Sequence, residues 1–353
     1  MRPLIALLQK SEVAGTADTA VKALGSLCWG NASTIGLAVA SGALEAIVAL
    51  LKRQGVGERL SAAWTLSGML RHTTRNHRAR VLALEPIRSL VECLSLGDTY
   101  TASESAGALY FLYDSAGHEQ ARRSNKALSN KILETCSPSC LLALLPVGNA
   151  ATSKTNNLFP FNILALLDNI ARTSGHHRAL LSAGLPRKLV AALQSRDERS
   201  VRFFDAVYDG GFTAPGYAVP LWAKLLRGPH AAEAADALVA SGALGLLVDA
   251  LHKGKAVCES AAKCLHAISN IAAALRADIV NSGAVSALIV ALHEEGIRTD
   301  TDSENSGPSL RAKSAAATLL LLAPEHESVE AAVAAAGFTT RQLQAISDGR
   351  SDL

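Results

Sequence analysis

The side chains with the most chemical reach in this chain are six cysteines, ten histidines and a few asparagines, set among apolar stretches. A zinc site needs four thiolate or imidazole ligands, normally in closely spaced pairs. Cys136 and Cys140, in CSPSC, form the one close pair, and no second pair or histidine follows at ligand spacing. The other four, Cys28, Cys93, Cys258 and Cys264, stand singly inside apolar helical patterns. All six read as reduced, buried thiols of an intracellular protein. His72, His77 and the pair His176–His177 fall in loops without a metal-spaced partner, which reads as solvated surface. GxSxG, HExxH and a phosphate loop ending in GK[ST] are all missing from the sequence. The expectation is a non-enzymatic protein with no cofactor and no metal.

The elements that carry these side chains are helical. Hydrophobic residues make up 49% of the 353 residues and aromatics only 4%, and the apolar positions are mostly Ala and Leu, strong helix formers. The 34 basic and 31 acidic residues leave a net charge of +3, too balanced to predict nucleic-acid binding. MRPLIALLQK is too short an apolar run for a signal peptide. No stretch approaches the roughly 18 uninterrupted apolar residues of a membrane span. The expected location is intracellular, in the cytoplasm, with the nucleus as a second compartment.

One short turn recurs. SGAL stands at Ser41–Leu44 and Ser241–Leu244, SGAV at Ser282–Val285, SAGL at Ser182–Leu185 and AAGF at Ala335–Phe338. The last two full turns are about forty residues apart, and LEP at Leu84–Pro86 follows the first by a similar distance. Each turn opens an apolar helix such as ALEAIVALLKR, ALGLLVDALHK or AVSALIVALHE; IRSLVECLSL and LPRKLVAALQ are of the same kind. A loop and an Ala-rich helix come next: RLSAAWTLSGML, SESAGALYFLYD, ESAAKCLHAISNIA, RAKSAAATLLLLA. Within these, Ala63, Leu66 and Met69 share a face, as do Leu109 and Leu112, Leu164, Leu167 and Ile170, and Leu265, Ile268 and Ile271. The turn's glycine suits the left-handed backbone of a helix C-terminus, letting the next helix leave steeply.

These turns and Ala-rich helices resemble the armadillo repeat family, most strongly at Ser41–Arg71 and Ser241–Ser286. HEAT repeats are the nearest alternative, with two helices and no recurrent glycine turn. The resemblance implies an all-α, right-handed superhelix, a solenoid of about seven to eight three-helix repeats spanning 1–353 as one domain. Polar or irregular segments near 148–157, 209–220 and 296–308 read as insertions, and the polar tail 339–353 as a cap. Arg2–Gln9 reads as a helix entered in mid-repeat, which suggests a fragment or an end that packs on another domain or subunit.

In such a superhelix the third helices line a concave groove. With the core residues turned inward, Trp64 and Gly68 point away from the core, about 200° from its central residue in opposite senses. The same construction selects Tyr110 and Asp114, Ala165 and Asn169, and His266 and Asn270; with Val201, Phe204 and Val207 as core it selects Arg202 and Ala206. Importin-alpha-like armadillo proteins carry Trp and then Asn at these positions, the amides bonding a peptide backbone and the rings stacking on Lys and Arg stems. Here Trp64 is followed by Gly68, His266 precedes Asn270, Ala165 precedes Asn169, and Trp29 falls at an Asn position. The likeness to importin-alpha or to vacuolar armadillo proteins is therefore weak. The expectation is a scaffold holding a protein or extended peptide segment on Trp64, Tyr110, Asp114, Asn169, Arg202, His266 and Asn270. Two further readings stand beside it: the substrate-recruiting region of a larger ubiquitin-ligase-type protein, and an importin-like transport adaptor. The plainer alternative packs Trp64 and Tyr110 between neighbouring third helices, gives Asn169 and Asn270 local backbone bonds, and leaves Arg202 an ordinary surface charge. Oligomeric state stays open.

Overall fold

The computed structural model describes residues 1–10, 15–96, 99–113, 116, 119–145, 159–194, 214–253, 255–296 and 308–349. Among them every regular element is a helix. A complete repeat has three: Ala32–Ala40, Ala43–Leu51 and Val56–Arg71, or Ala231–Ala240, Ala243–Leu251 and Lys255–Ile271. The third helix is the longest in both, and a two-helix HEAT unit does not describe them.

The recurring turn does what its residues allow. Gly42, Gly242 and Gly283 take φ of 89°, 83° and 83°, the left-handed region open to glycine. The serine before each glycine closes the preceding helix: Ser41 Oγ donates to the Leu37 carbonyl at 2.8 Å, Ser241 Oγ to Leu238 at 2.8 Å, and Ser282 Oγ to Ile279 at 2.7 Å. These bonds satisfy carbonyls that a helix end leaves unpaired. The helices flanking the three turns meet at 80°, 92° and 79°. In LEP the same place falls to Glu85, with φ 53°. No single helix among the described residues is long and apolar enough to cross a membrane.

The described residues fall into two compact units, one comprising Met1–Leu145 with the Phe159–Ile170 helix, the other running from Ser174 onward. In the first, the third helices Thr16–Cys28, Val56–Arg71, Thr99–Phe111 and Phe159–Ile170 stack in order. In the second the stack is Ala214–Leu225, Lys255–Ile271, Leu310–Leu322 and Thr340–Asp348. Ala63, Leu66, Met69, Leu109, Leu112, Leu164, Leu167, Ile170, Leu265 and Ile268 are buried, as their spacing requires, whereas Ile271, at the end of its helix, is only partly buried. Polar side chains tie neighbouring third helices laterally. Thr65 Oγ1 donates to the Val21 carbonyl at 3.0 Å, Asn162 Nδ2 to Ser103 at 2.9 Å, and the Cys264 thiol to Val219 at 3.6 Å.

One segment differs from the sequence reading. The interruption expected near 209–220 becomes, from Ala214, the third helix Ala214–Leu225, with Pro220 inside it. Gly216 and Pro220 argue locally for a break, yet Val219, Leu221, Trp222 and Leu225 are buried in a helix that packs against Lys255–Ile271 and its neighbours. Tertiary burial outweighs the local preference. The polar tail carries the helix Thr340–Asp348, opened by a capping box between Thr339 and Gln342 and anchored through Leu343. Residues 148–157 and 297–307 lie outside the described residues.

Candidate functional site

Two of the third helices in the first unit contain a mid-helix glycine opposite an indole. Trp29 follows the C-terminus of Thr16–Cys28, and its ring lies over Gly68 of the next third helix, where a Cβ would stand 3.1 Å from two ring carbons. The Trp64 ring lies over Gly25, where a Cβ would stand 2.5 Å from Cζ3. The two indoles stack on each other with centroids 5.7 Å apart and planes 16° from parallel. Gly68, at the position expected to hold Asn, is thus the floor beneath Trp29.

Arg71, in the last turn of the same helix, extends this cluster. Its guanidinium carbon stands 5.8 Å from the Trp29 ring and 5.4 Å from the Phe111 ring, within cation–π range of both. Tyr110 meets Phe111 edge-on at 5.0 Å. Trp29 is 50% exposed and Arg71 is exposed, while Trp64, Tyr110 and Phe111 are partly buried. Behind them Glu104 is buried on Thr99–Phe111. Burial raises its carboxyl above the ordinary range, against the opposing effects of a Ser67 hydrogen bond and the Arg71 charge.

The other expected residues divide between the units. Asn169 is only 7% exposed, so its amide presents little to an incoming chain. It sits beside the equally buried Asp168, which Arg172 approaches to 3.7 Å. On Lys255–Ile271, His266 is partly buried and Asn270, one turn on, is exposed. Burial lowers the His266 pKa, and its Nδ1 is buried without a hydrogen-bond partner among the described residues. Asp114 and Arg202, with Val201, Phe204, Ala206 and Val207, lie outside the described residues. The structure therefore joins Trp64 and Tyr110 through Trp29, Arg71 and Phe111 in the first unit; His266 and Asn270 belong to the second.

The residues considered for catalysis or metal do not assemble. Among the described residues no group of three His, Cys, Asp or Glu side chains could hold a metal ion. All six cysteines are free, and Cys140, expected to be buried, is exposed. Burial, with the nearby Cys140 thiol, pushes the Cys136 thiol up to about 12, which keeps it protonated and unreactive. His177 corrects the surface reading: it is 3% exposed and packs against Gly228.

Sequence reasoning missed Arg71 and Phe111 and placed Trp29 without a role. Gly25 and Gly68 were visible in the sequence, but glycine in a helix does not by itself mark a close approach: Gly36, Gly57 and Gly245 lie in helices too and face open space.

No protein-family model matches the sequence, and no curated protein matches it significantly. Solved structures do. A designed armadillo repeat protein superposes with a TM-score of 0.57 at 19% identity, over 76% of this chain and 99% of its own. The fold is of the armadillo type. A second designed armadillo repeat protein, solved in complex with the peptide (KR)4, gives 0.54 at 18% identity over 76% of this chain and 98% of its own. A chain from work on a conserved phosphorylation switch controlling the interaction between cadherin and beta-catenin gives 0.56 at 18% identity, over 92% of this chain and 61% of that one. At such identities the likeness speaks for the armadillo fold alone.

Proposed function

We propose that this chain is a non-enzymatic scaffold that takes an extended peptide or protein segment on the exposed faces of its third helices. The observation that carries this reading is the Trp29–Trp64 stack with Arg71 beside it. A half-exposed indole held rigid by a neighbour is a ready interface anchor, because little side-chain freedom is left to lose on binding. Asn270, exposed on a third helix of the second unit, offers both a donor and an acceptor to a peptide backbone. That solved armadillo-type neighbours include one with a bound peptide supports the same reading. The free cysteines favour an intracellular setting for it.

The test uses the exposed members, since Trp64 also packs on Gly25. Affinity capture with the wild type is compared with Trp29→Ala combined with Asn270→Ala. Partners held by the wild type and lost by the double variant, with helical melting shifted by no more than about 3 °C, are the expected result. Capture of the same partners by both proteins would remove the reading.

A further inference from the structure

A face that takes a Lys- or Arg-rich peptide on its indoles needs open ring surface for the cationic side chains, and in this chain that surface is already engaged. Trp64 stacks on Trp29, Gly68 sits beneath Trp29, and the Arg71 guanidinium stands over the same indole. An incoming Lys or Arg would have to displace Arg71 and would meet its charge. The guanidinium itself is bracketed by Trp29 and Phe111 and exposed to solvent. Among the described residues no hydrogen bond or ion pair uses its five N–H groups. Glu104, the carboxyl within electrostatic reach of it, is buried. A guanidinium between two rings, with its N–H groups otherwise unused, is available for two parallel bonds to a carboxylate.

We propose that Arg71 is the anion-reading position of this face, and that the segment bound here presents an Asp or Glu side chain next to an apolar one. The inference rests on the scaffold reading and adds the chemistry of the segment. The half-exposed Trp29 edge receives the apolar neighbour, and Arg71 receives the carboxylate. Like-charge repulsion at Arg71 makes the same site reject Lys/Arg runs.

The experiment is fluorescence anisotropy on the full chain with two labelled dodecapeptides, (Glu-Leu-Pro)4 and (Lys-Leu-Pro)4, at physiological ionic strength. The acidic peptide is expected to bind at least about tenfold more tightly than the basic one. Arg71→Met should weaken it about tenfold, Arg71→Lys by a smaller factor because the charge stays and the planar fork is lost, and Arg71→Glu should invert the preference. Arg88→Met, removing an 84% exposed arginine on the Ile87–Leu94 helix, should change neither affinity. Circular-dichroism melting of each variant reports folding. Four results would each overturn the proposal: equal or tighter binding of the basic peptide, no effect of Arg71→Met in a folded variant, an equal loss in Arg88→Met, or no binding of the acidic peptide. Binding of a phosphoserine version alone would remove the carboxylate assignment. Partner capture that depends on Trp29 and Asn270 but is indifferent to Arg71 would leave the scaffold reading standing and this one not.

Discussion

Glycine in a helix interior costs about 0.5–1 kcal/mol relative to alanine, and Gly25 and Gly68 both occupy the interior of third helices. The room they make for Trp64 and Trp29 offsets that cost. Gly25→Ala is therefore expected to destabilise the first unit by about 1–3 kcal/mol through overpacking, because the new Cβ would stand 2.5 Å from Trp64 and 2.7 Å from Thr65 Oγ1. In a Trp64→Ala background the same change should cost much less, a coupling that a double-mutant cycle in urea measures. Glu104 makes a prediction in pH. Its folded carboxyl is raised, chiefly by burial, so the native state holds the proton to higher pH than the unfolded chain does. Its contribution is fullest below the ordinary glutamate range and is lost as pH rises through the raised value. Glu104→Gln should accordingly flatten that fall and leave the protein more stable than wild type near pH 7, read from urea midpoints between pH 4 and 8. Little of this was legible in sequence: Trp64 and Tyr110 were singled out by helical offset, but what lies against each ring depends on the neighbouring repeats.

Helices and turns were far more legible, because a turn is decided by a few adjacent residues. Ser supplies a hydroxyl to an unpaired carbonyl and Gly supplies positive φ, so SGAL reads as a steep helix junction wherever it stands. Glu85 is the departure that tests the rule. A non-glycine residue in the left-handed region costs about 1–2 kcal/mol, and Glu85 holds φ 53° at the place where the other turns have glycine. Glu85→Gly should stabilise the protein by about 0.5–1 kcal/mol once the added freedom of the unfolded chain is deducted. The reverse change at an equivalent site, Gly242→Ala, should cost about 1–2 kcal/mol. Thermal melting of the two variants beside wild type gives both signs. Where tertiary contact and local signal disagree, as in Ala214–Leu225, the sequence reading failed: Gly216 and Pro220 were visible, and the burial of Trp222 was not.

At the scale of the molecule, stability in stacked repeats is carried by neighbour-to-neighbour contacts, so an element flanked on both sides opens less readily than one flanked on a single side. Val56–Arg71 packs between Thr16–Cys28 and Thr99–Phe111, whereas Thr340–Asp348 packs chiefly on Leu310–Leu322. Native-state hydrogen exchange should show amides of Thr340–Asp348 exchanging before those of Val56–Arg71. Similar protection in both would mean cooperativity well beyond nearest neighbours. Most helices, their glycine turns, the forty-residue repeat and the buried stripe of third helices such as Val56–Arg71 were legible in the sequence alone, because they follow from backbone preference and apolar spacing within a short window; the third helix Ala214–Leu225 was not. Only the tertiary structure decided which side chains share a surface: Trp29, Arg71 and Phe111 come from three successive repeats, and their juxtaposition follows from the register of stacked helices, which no single window contains.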